Sequence, residues 1–172
     1  MSAVRLKGFY CDRVVGCDGR EIWNTGWRHN LIVAPCRMLL AGFMRNDAAL
    51  GIRSLQVGRG DPAWDASGAP APDPGSTKLT DNAPFVIPVA SLVLEYLDAN
   101  DGIVVTPTNR IQITATLGPG QPTPATDPPF PLREFGLFGS LGGQLQMIDC
   151  IRHPLIEKDG SVTLERKVRL VF

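Results

Sequence analysis

Residues 161–172 read SVTLERKVRLVF, and they put Val162, Leu164, Val168, Leu170 and Phe172 against Thr163, Glu165, Lys167 and Arg169. Side chains of an extended chain point alternately to opposite faces, so this pattern predicts an antiparallel strand with one dry and one wet face. RIQITATL, residues 110–117, does the same, with Ile111, Ile113, Ala115 and Leu117 opposing Gln112, Thr114 and Thr116. Between them REFGLFG (133–139) and QLQMIDCI (144–151) flank SLGG, a turn that predicts a hairpin. EKDGSV, residues 157–162, predicts a further turn centred on Asp159-Gly160.

Towards the N-terminus, residues 3–23 read as a hairpin or strand pair with Asp18-Gly19 at its turn. Pro35 suits a first helical position, and Met38, Leu39, Ala41 (or Gly42) and Phe43 give apolar contacts at helical spacing. One short helix is therefore expected from about Pro35 to Arg45. IRSLQVG (52–58) reads as a strand, and so does FVIPVASLVLEYLD (85–98), with Pro88 marking an edge or bulge. Two long segments interrupt the pattern. Asp61–Asn82 is dense in Pro, Gly, Asp and Ser, a surface loop rather than a packed element, and Gly118–Pro131 carries six prolines. The second cannot pair as a central strand, since proline has no N–H, but its fixed backbone suits a stiff, ordered contact surface. The predicted fold is one mainly β domain over residues 1–172, an antiparallel sandwich or barrel-like sheet of about five to eight strands, with a single helix in the N-terminal third.

Composition narrows the function. Lys+Arg and Asp+Glu both number 17, so the formal charge is zero and nothing draws the chain specifically to nucleic acid. Its 18 glycines and 15 prolines make about a fifth of its 172 residues, a turn-rich chain. No apolar run approaches the ~20 residues of a membrane span, and the N-terminal stretch lacks a signal-peptide core, so cytoplasmic synthesis is expected. Cys11, Cys17, Cys36 and Cys150 contain no C-x-x-C pair; buried or semi-buried free thiols are expected, with no metal site. His29 and His153 are the only obvious general bases, and neither sits in a recognisable constellation. No nucleophile elbow, zinc-protease, phosphate-loop or dinucleotide fingerprint occurs, so neither an enzyme nor a cofactor is expected.

Two features invite sharper readings. Arg59-Gly60-Asp61 matches an adhesion tripeptide, but it follows a strand and precedes Pro62, which makes it a turn. Trp23, Trp27 and Trp64 offer stacking surfaces for a carbohydrate or receptor, against which core packing near the helix start is the expected place for Trp23 and Trp27.

WNTGWRHNLIVAPCRMLLAGFM (23–44), IRSLQVGRGDPAWDASG (52–68), TKLTD (77–81) and the whole of 133–172 resemble small tail- or baseplate-associated structural proteins of tailed bacteriophages and phage-derived contractile particles. In these an N-L-apolar-apolar stretch leads into an R-x-L-L-A helix, then a strand ending V-G-x-G, and later a strand reading E-x-G-L-F. The chain departs from the pattern at Pro35-Cys36 and in the proline-rich loop. The resemblance implies a non-enzymatic virion component at a tail, baseplate, collar or fibre-attachment station, ahead of a capsid decoration role. It implies assembly in a bacterial cytoplasm, other virion or tail proteins as partners, and a symmetric homo-oligomer. Trp64, Pro119, Pro122, Pro124, Pro128, Pro129 and Phe130 are the candidate subunit contacts.

Overall fold

The computed structural model describes residues 6–172. Strand β1 (Lys7–Val15) is followed by β2 (Glu21–Asn24), β3 (Arg28–Ile32), helix α1 (Ala34–Met44) and β4 (Ala49–Gly58). A single turn of helix, α2 (Trp64–Ser67), precedes β5 (Phe85–Pro88), a 3-10 turn at Val89–Ser91, β6 (Leu92–Leu97) and β7 (Ile103–Val104). The C-terminal half is all strand: β8 (Arg110–Leu117), β9 (Phe130–Leu141), β10 (Gln144–Met147), β11 (Asp149–Lys158) and β12 (Thr163–Val171). These twelve strands form one antiparallel sheet in the order β5-β4-β9-β11-β3-β1-β12-β8-β6-β7, with β10 added on β9 and β2 on β1. The sheet curls into a half-barrel with α1 against it. The strand count exceeds the expected range because the stretch 85–98 divides into β5 and β6, the stretch 144–151 divides between β10 and β11, and β3 and β7 were not expected as strands.

Local chemistry sets the tight connections. Gly142 and Gly143 both have positive φ (57° and 81°), the requirement of a two-residue hairpin turn, and they join β9 to β10. Gly19 (φ 77°) serves the β1–β2 turn; the predicted hairpin is present from residue 7, and its residues 3–5 lie outside the described residues. Asp159-Gly160 is a turn as expected, with Asp159 Oδ1 accepting the Ser161 N–H at 2.7 Å. It does not make a hairpin, however: β11 and β12 are separated in the sheet by β3 and β1, so this turn carries the chain across the curl.

Register aligns the inner face in rows. Gly8, Leu170, Ile111 and Tyr96 lie side by side across β1, β12, β8 and β6; so do Tyr10, Val168, Ile113 and Leu94, and then Asp12, Arg166, Ala115 and Leu92. Opposite them Leu55, Val57, Phe135 and Leu137 complete the core. The helix contributes Cys36, Leu39 and Gly42, whereas Met38 faces outward and Phe43 lies partly exposed beside an apolar cavity, a correction to the predicted face. Gly42 explains the shift: a Cβ there would lie 2.6 Å from Leu141 Cδ1, so α1 approaches β9 at its small residue. The helix ends on Asn46 in the left-handed region (φ 60°), with the Asp47 N–H closing onto the Gly42 carbonyl at 3.0 Å.

A second, smaller core of Val33, Leu79, Phe138, Met147 and Cys150 lies apart from the first. Leu79 comes from the segment expected to be a surface loop, so part of Asp61–Asn82 is packed after all. Pro131 corrects another expectation, pairing with Glu157 inside β9. It is tolerated because β4 reaches only to Glu134 on the other flank, leaving the missing N–H at an open edge.

Candidate functional site

The two long loops spring from neighbouring roots. Arg59, at the end of β4, holds its guanidinium 4.2 Å over the ring of Phe130, the first residue of β9. Arg133 donates to Asp65 through Nε (2.8 Å) and Nη2 (2.6 Å), and to the Arg59 carbonyl through Nη1 (2.9 Å). This planar two-bond fork anchors α2 to β9. Further along, Asp81 accepts the Arg59 N–H at 2.8 Å while its own N–H reaches the buried Glu134 at 2.7 Å. The Pro74 carbonyl accepts the Ala34 N–H at the start of α1. Residues 61–82 therefore form a strap tied at several points, not a free loop.

Arg59-Gly60-Asp61 leads from β4 into a turn at the start of the strap, where the Trp64 N–H reaches the Asp61 carbonyl at 3.0 Å. Gly60 has φ 58°, and Asp61 Oδ1 accepts the Ala63 N–H at 2.9 Å. The Trp64 ring lies against Gly60, where a Cβ would meet it at 2.5 Å.

The 118–131 segment packs on the β11–β12 turn. Gly160 is buried there, because a Cβ would fall 2.5 Å from the Ala125 backbone, and the Gly120 N–H reaches the Gly160 carbonyl at 2.8 Å. Beneath it Lys158, only 1% exposed, spends its ammonium on three carbonyls: Val162 at 2.6 Å, Asp159 at 2.9 Å and Gly118 at 3.3 Å. Burial lowers its pKa. Pro119, Pro124, Pro128 and Pro129 are exposed and Pro122 is half-buried. Phe130 is buried in the main core and is removed from the set of candidate contacts; its apolar ring gains more inside than on a loop. Trp64 is half-buried.

Trp23 and Trp27 are on the surface rather than in the core, since β2 and the turn after it lie at a sheet edge. Trp27 carries the Arg169 guanidinium 3.7 Å from its ring, and Trp64 carries that of Arg152 at 4.9 Å. Each of these two rings thus has a face already covered by a cation. Cys17 is exposed, unlike the other cysteines, and all four are free. Burial pushes the thiols of Cys36 and Cys150 up to about 11 and about 12, keeping them protonated and unreactive.

Sequence reasoning missed a buried polar cluster inside the curl. Arg166, 2% exposed, forks onto Asp12 (Nε–Oδ1 2.6 Å, Nη2–Oδ2 2.8 Å) and stacks 3.6 Å over Phe135. Its Nη2 also lies 3.0 Å from His153 Nε2, while His153 Nδ1 is 2.7 Å from the Pro154 carbonyl. These partners set the tautomer: Nδ1 donates to the carbonyl and Nε2 accepts from Arg166. Burial first, and Arg166 second, hold His153 down to about 4. A neutral imidazole with both nitrogens engaged has no free lone pair for general-base work. Nearby Asp149, fully buried, accepts from Leu137 N–H (2.7 Å) and Asn30 Nδ2 (2.6 Å); burial raises it to about 7. The signal was present, since position 166 has the inward parity of Leu164 and Val168.

An apolar cavity of about 310 Å³ opens between α1 and β6. Cys36, Leu39, Leu40 and Phe43 of α1, Ile52 of β4, Leu94 and Tyr96 of β6, and Phe172 line it. Among the described residues no three His, Cys, Asp or Glu side chains gather to hold a metal ion, and no helix is long and apolar enough to cross a membrane. Comparison with family models, curated proteins and solved structures finds no match to the chain.

Proposed function

We propose that this protein is a non-enzymatic structural component of a phage virion or tail-like particle, at a tail, baseplate, collar or fibre-attachment station, assembling by loop and sheet-edge contacts. The observation that carries the reading is how the two loops are held. Lys158 fixes the proline-rich loop from below, and Arg133 with Asp65 fixes the strap, while Pro119, Pro124, Pro128 and Pro129 face outward. Surfaces ordered before binding lose little entropy when a neighbour docks, which suits repeated contacts in a symmetric assembly. The quoted phage-tail motifs support the same reading, as does a buried polar cluster whose imidazole is saturated by structural bonds. A carbohydrate platform draws less support, because Trp27 and Trp64 already stack with arginines.

The test is replacement of residues 119–129 by a short Gly/Ser linker, sparing the buried Phe130. The isolated domain should keep its circular dichroism spectrum, while particles assembled with the variant should lack the protein or fail to form. Normal incorporation and infectivity would remove the loop from the assembly surface.

A further inference from the structure

The cavity between α1 and β6 takes one face from each element around it. Cys36, Leu39, Leu40 and Phe43 fall at i, i+3, i+4 and i+7, a single apolar stripe of α1 turned towards it. Across from them Tyr96, Ile111 and Leu170 form a row over β6, β8 and β12, with Leu94 in the next row. A closed curl would cover such inward side chains, yet Leu94 is 44% exposed and Tyr96 37%. The cause lies at the strand edge: β6 pairs with β8 from Leu92 to Tyr96, but on its other side β7 reaches only Tyr96 and Leu97. Gly51 of β4 also lines the cavity and adds no side chain; a Cβ there would meet no atom within 4 Å.

We propose that this cavity is a binding site for an uncharged apolar small molecule, close in size to two fused aromatic rings. Three observations fix that class. Among the described residues no lysine, arginine, histidine or aspartate lines the cavity, and its one carboxylate is turned away. Glu95 sits opposite Gln112 on the far face of the sheet, where its Oε2 accepts from Gln112 Nε2 at 3.4 Å. An ion entering the cavity would leave water for walls that offer no counter-charge, so charged ligands are rejected. The space, about 310 Å³, lies within the range of small-molecule sites and is twice the ~150 Å³ of an apolar cavity that holds benzene. The flanking backbone, finally, does not suit an inserted strand. β4 is bulged between Leu50 and Ser54, and the free stretch of β6 lies between a 3-10 turn and β7, so neither flank presents a long regular ladder. What the site offers is apolar volume, and binding there is driven by removing apolar surface from water. It does not depend on the virion reading.

The experiment is calorimetric titration of the full-length chain with naphthalene and with 2-naphthalenesulfonate, which has the same rings and one charge. Naphthalene should saturate one site per chain and raise the melting temperature, and the sulfonate should bind at least ~10-fold more weakly. Leu94→Trp fills the cavity and should weaken naphthalene binding at least ~10-fold. Met44→Lys, at a position 88% exposed and outside the lining, should leave it unchanged. A second readout locates the ligand without altering the walls. In a Cys11→Ser/Cys17→Ser background, naphthalene should slow the reaction of Cys36, which lines the cavity, with methyl methanethiolsulfonate. It should not change the rate at Cys150, which lies in the smaller core. Should Leu94→Trp fail to fold, this readout decides. Absence of saturable naphthalene binding would overturn the inference, as would equal affinity for the sulfonate, wild-type binding by a folded Leu94→Trp chain, or an unprotected Cys36. Each of these outcomes leaves the particle-incorporation test of the loops untouched, so the two ideas fail separately.

Discussion

At single residues, buried polar groups control how stability responds to conditions. Unfolded His153 takes up a proton below pH ~6.5 that the folded chain refuses until about 4, so its contribution is lost as pH falls through that window. Asp149 acts in the opposite sense: unfolded it releases a proton above ~3.9, while folded it keeps one to about 7, so its contribution is lost as pH rises. Between pH ~4 and ~6.5 the two slopes, each about 1.4 kcal/mol per pH unit, cancel. Urea midpoints of the wild type should be flat there. Asp149→Asn should gain stability with rising pH, and His153→Gln should lose it; parallel, flat profiles in all three would refute the assignment. Gly8 gives a steric test. A Cβ at this position would overlap the Asn30 amide, which is itself held by Asp149, so Gly8→Ala should cost about 1–3 kcal/mol in denaturant unfolding.

At the scale of elements, β12 is the strand on which the curl depends. It pairs with β1 along its full length on one side and with β8 on the other, and it supplies Leu164, Arg166, Val168 and Leu170 to the interior. A chain ending after Arg166 loses two core residues at about 1.5–3 kcal/mol each and opens the centre of the sheet. It should be insoluble, and a soluble truncate with the wild-type melting temperature would contradict the topology. The bridge between strands makes a finer prediction. Arg166→Met alone strands the Asp12 carboxylate in the core and should cost about 3–5 kcal/mol. Asp12→Leu combined with Arg166→Met should recover most of it, because a buried ion pair roughly breaks even against an apolar pair. A double mutant as unstable as the single one would show that His153 or Phe135 also needs the guanidinium.

At the scale of the molecule, the half-barrel divides the labour between closed and open parts. Its middle strands bury the core, the strap and the proline loop are tied to that core by Arg133, Asp81 and Lys158, and the seam at β6 stays open. Lys158→Met isolates the role of the tie. It leaves three carbonyls without their donor, so the domain should lose about 1–3 kcal/mol, and the proline loop should become the first site cut in limited proteolysis. Cleavage beginning elsewhere would show that Gly160 and the prolines hold the loop without Lys158.

The sequence by itself determined the mainly β class, the single helix near residues 34–44, the alternating strands β8 and β12, and the turns at Asp18-Gly19, Gly142-Gly143 and Asp159-Gly160. All of these rest on period-two alternation, helical spacing or φ preference, which are local properties readable from a few neighbouring residues. Tertiary structure alone decided that β11 and β12 lie apart, that Leu79 of the strap is buried, that Phe130 belongs to the core, and that Trp23 and Trp27 stay outside. It also decided where the charges went. Arg166 looks like a surface residue among Glu165, Lys167 and Arg169, and only its pairing opposite Asp12, with His153 arriving from a strand elsewhere in the sheet, makes burial of its charge tolerable. The open edge of β6 has the same origin. An unpaired backbone is a statement about which strands are absent beside it, and that depends on the path of the whole chain.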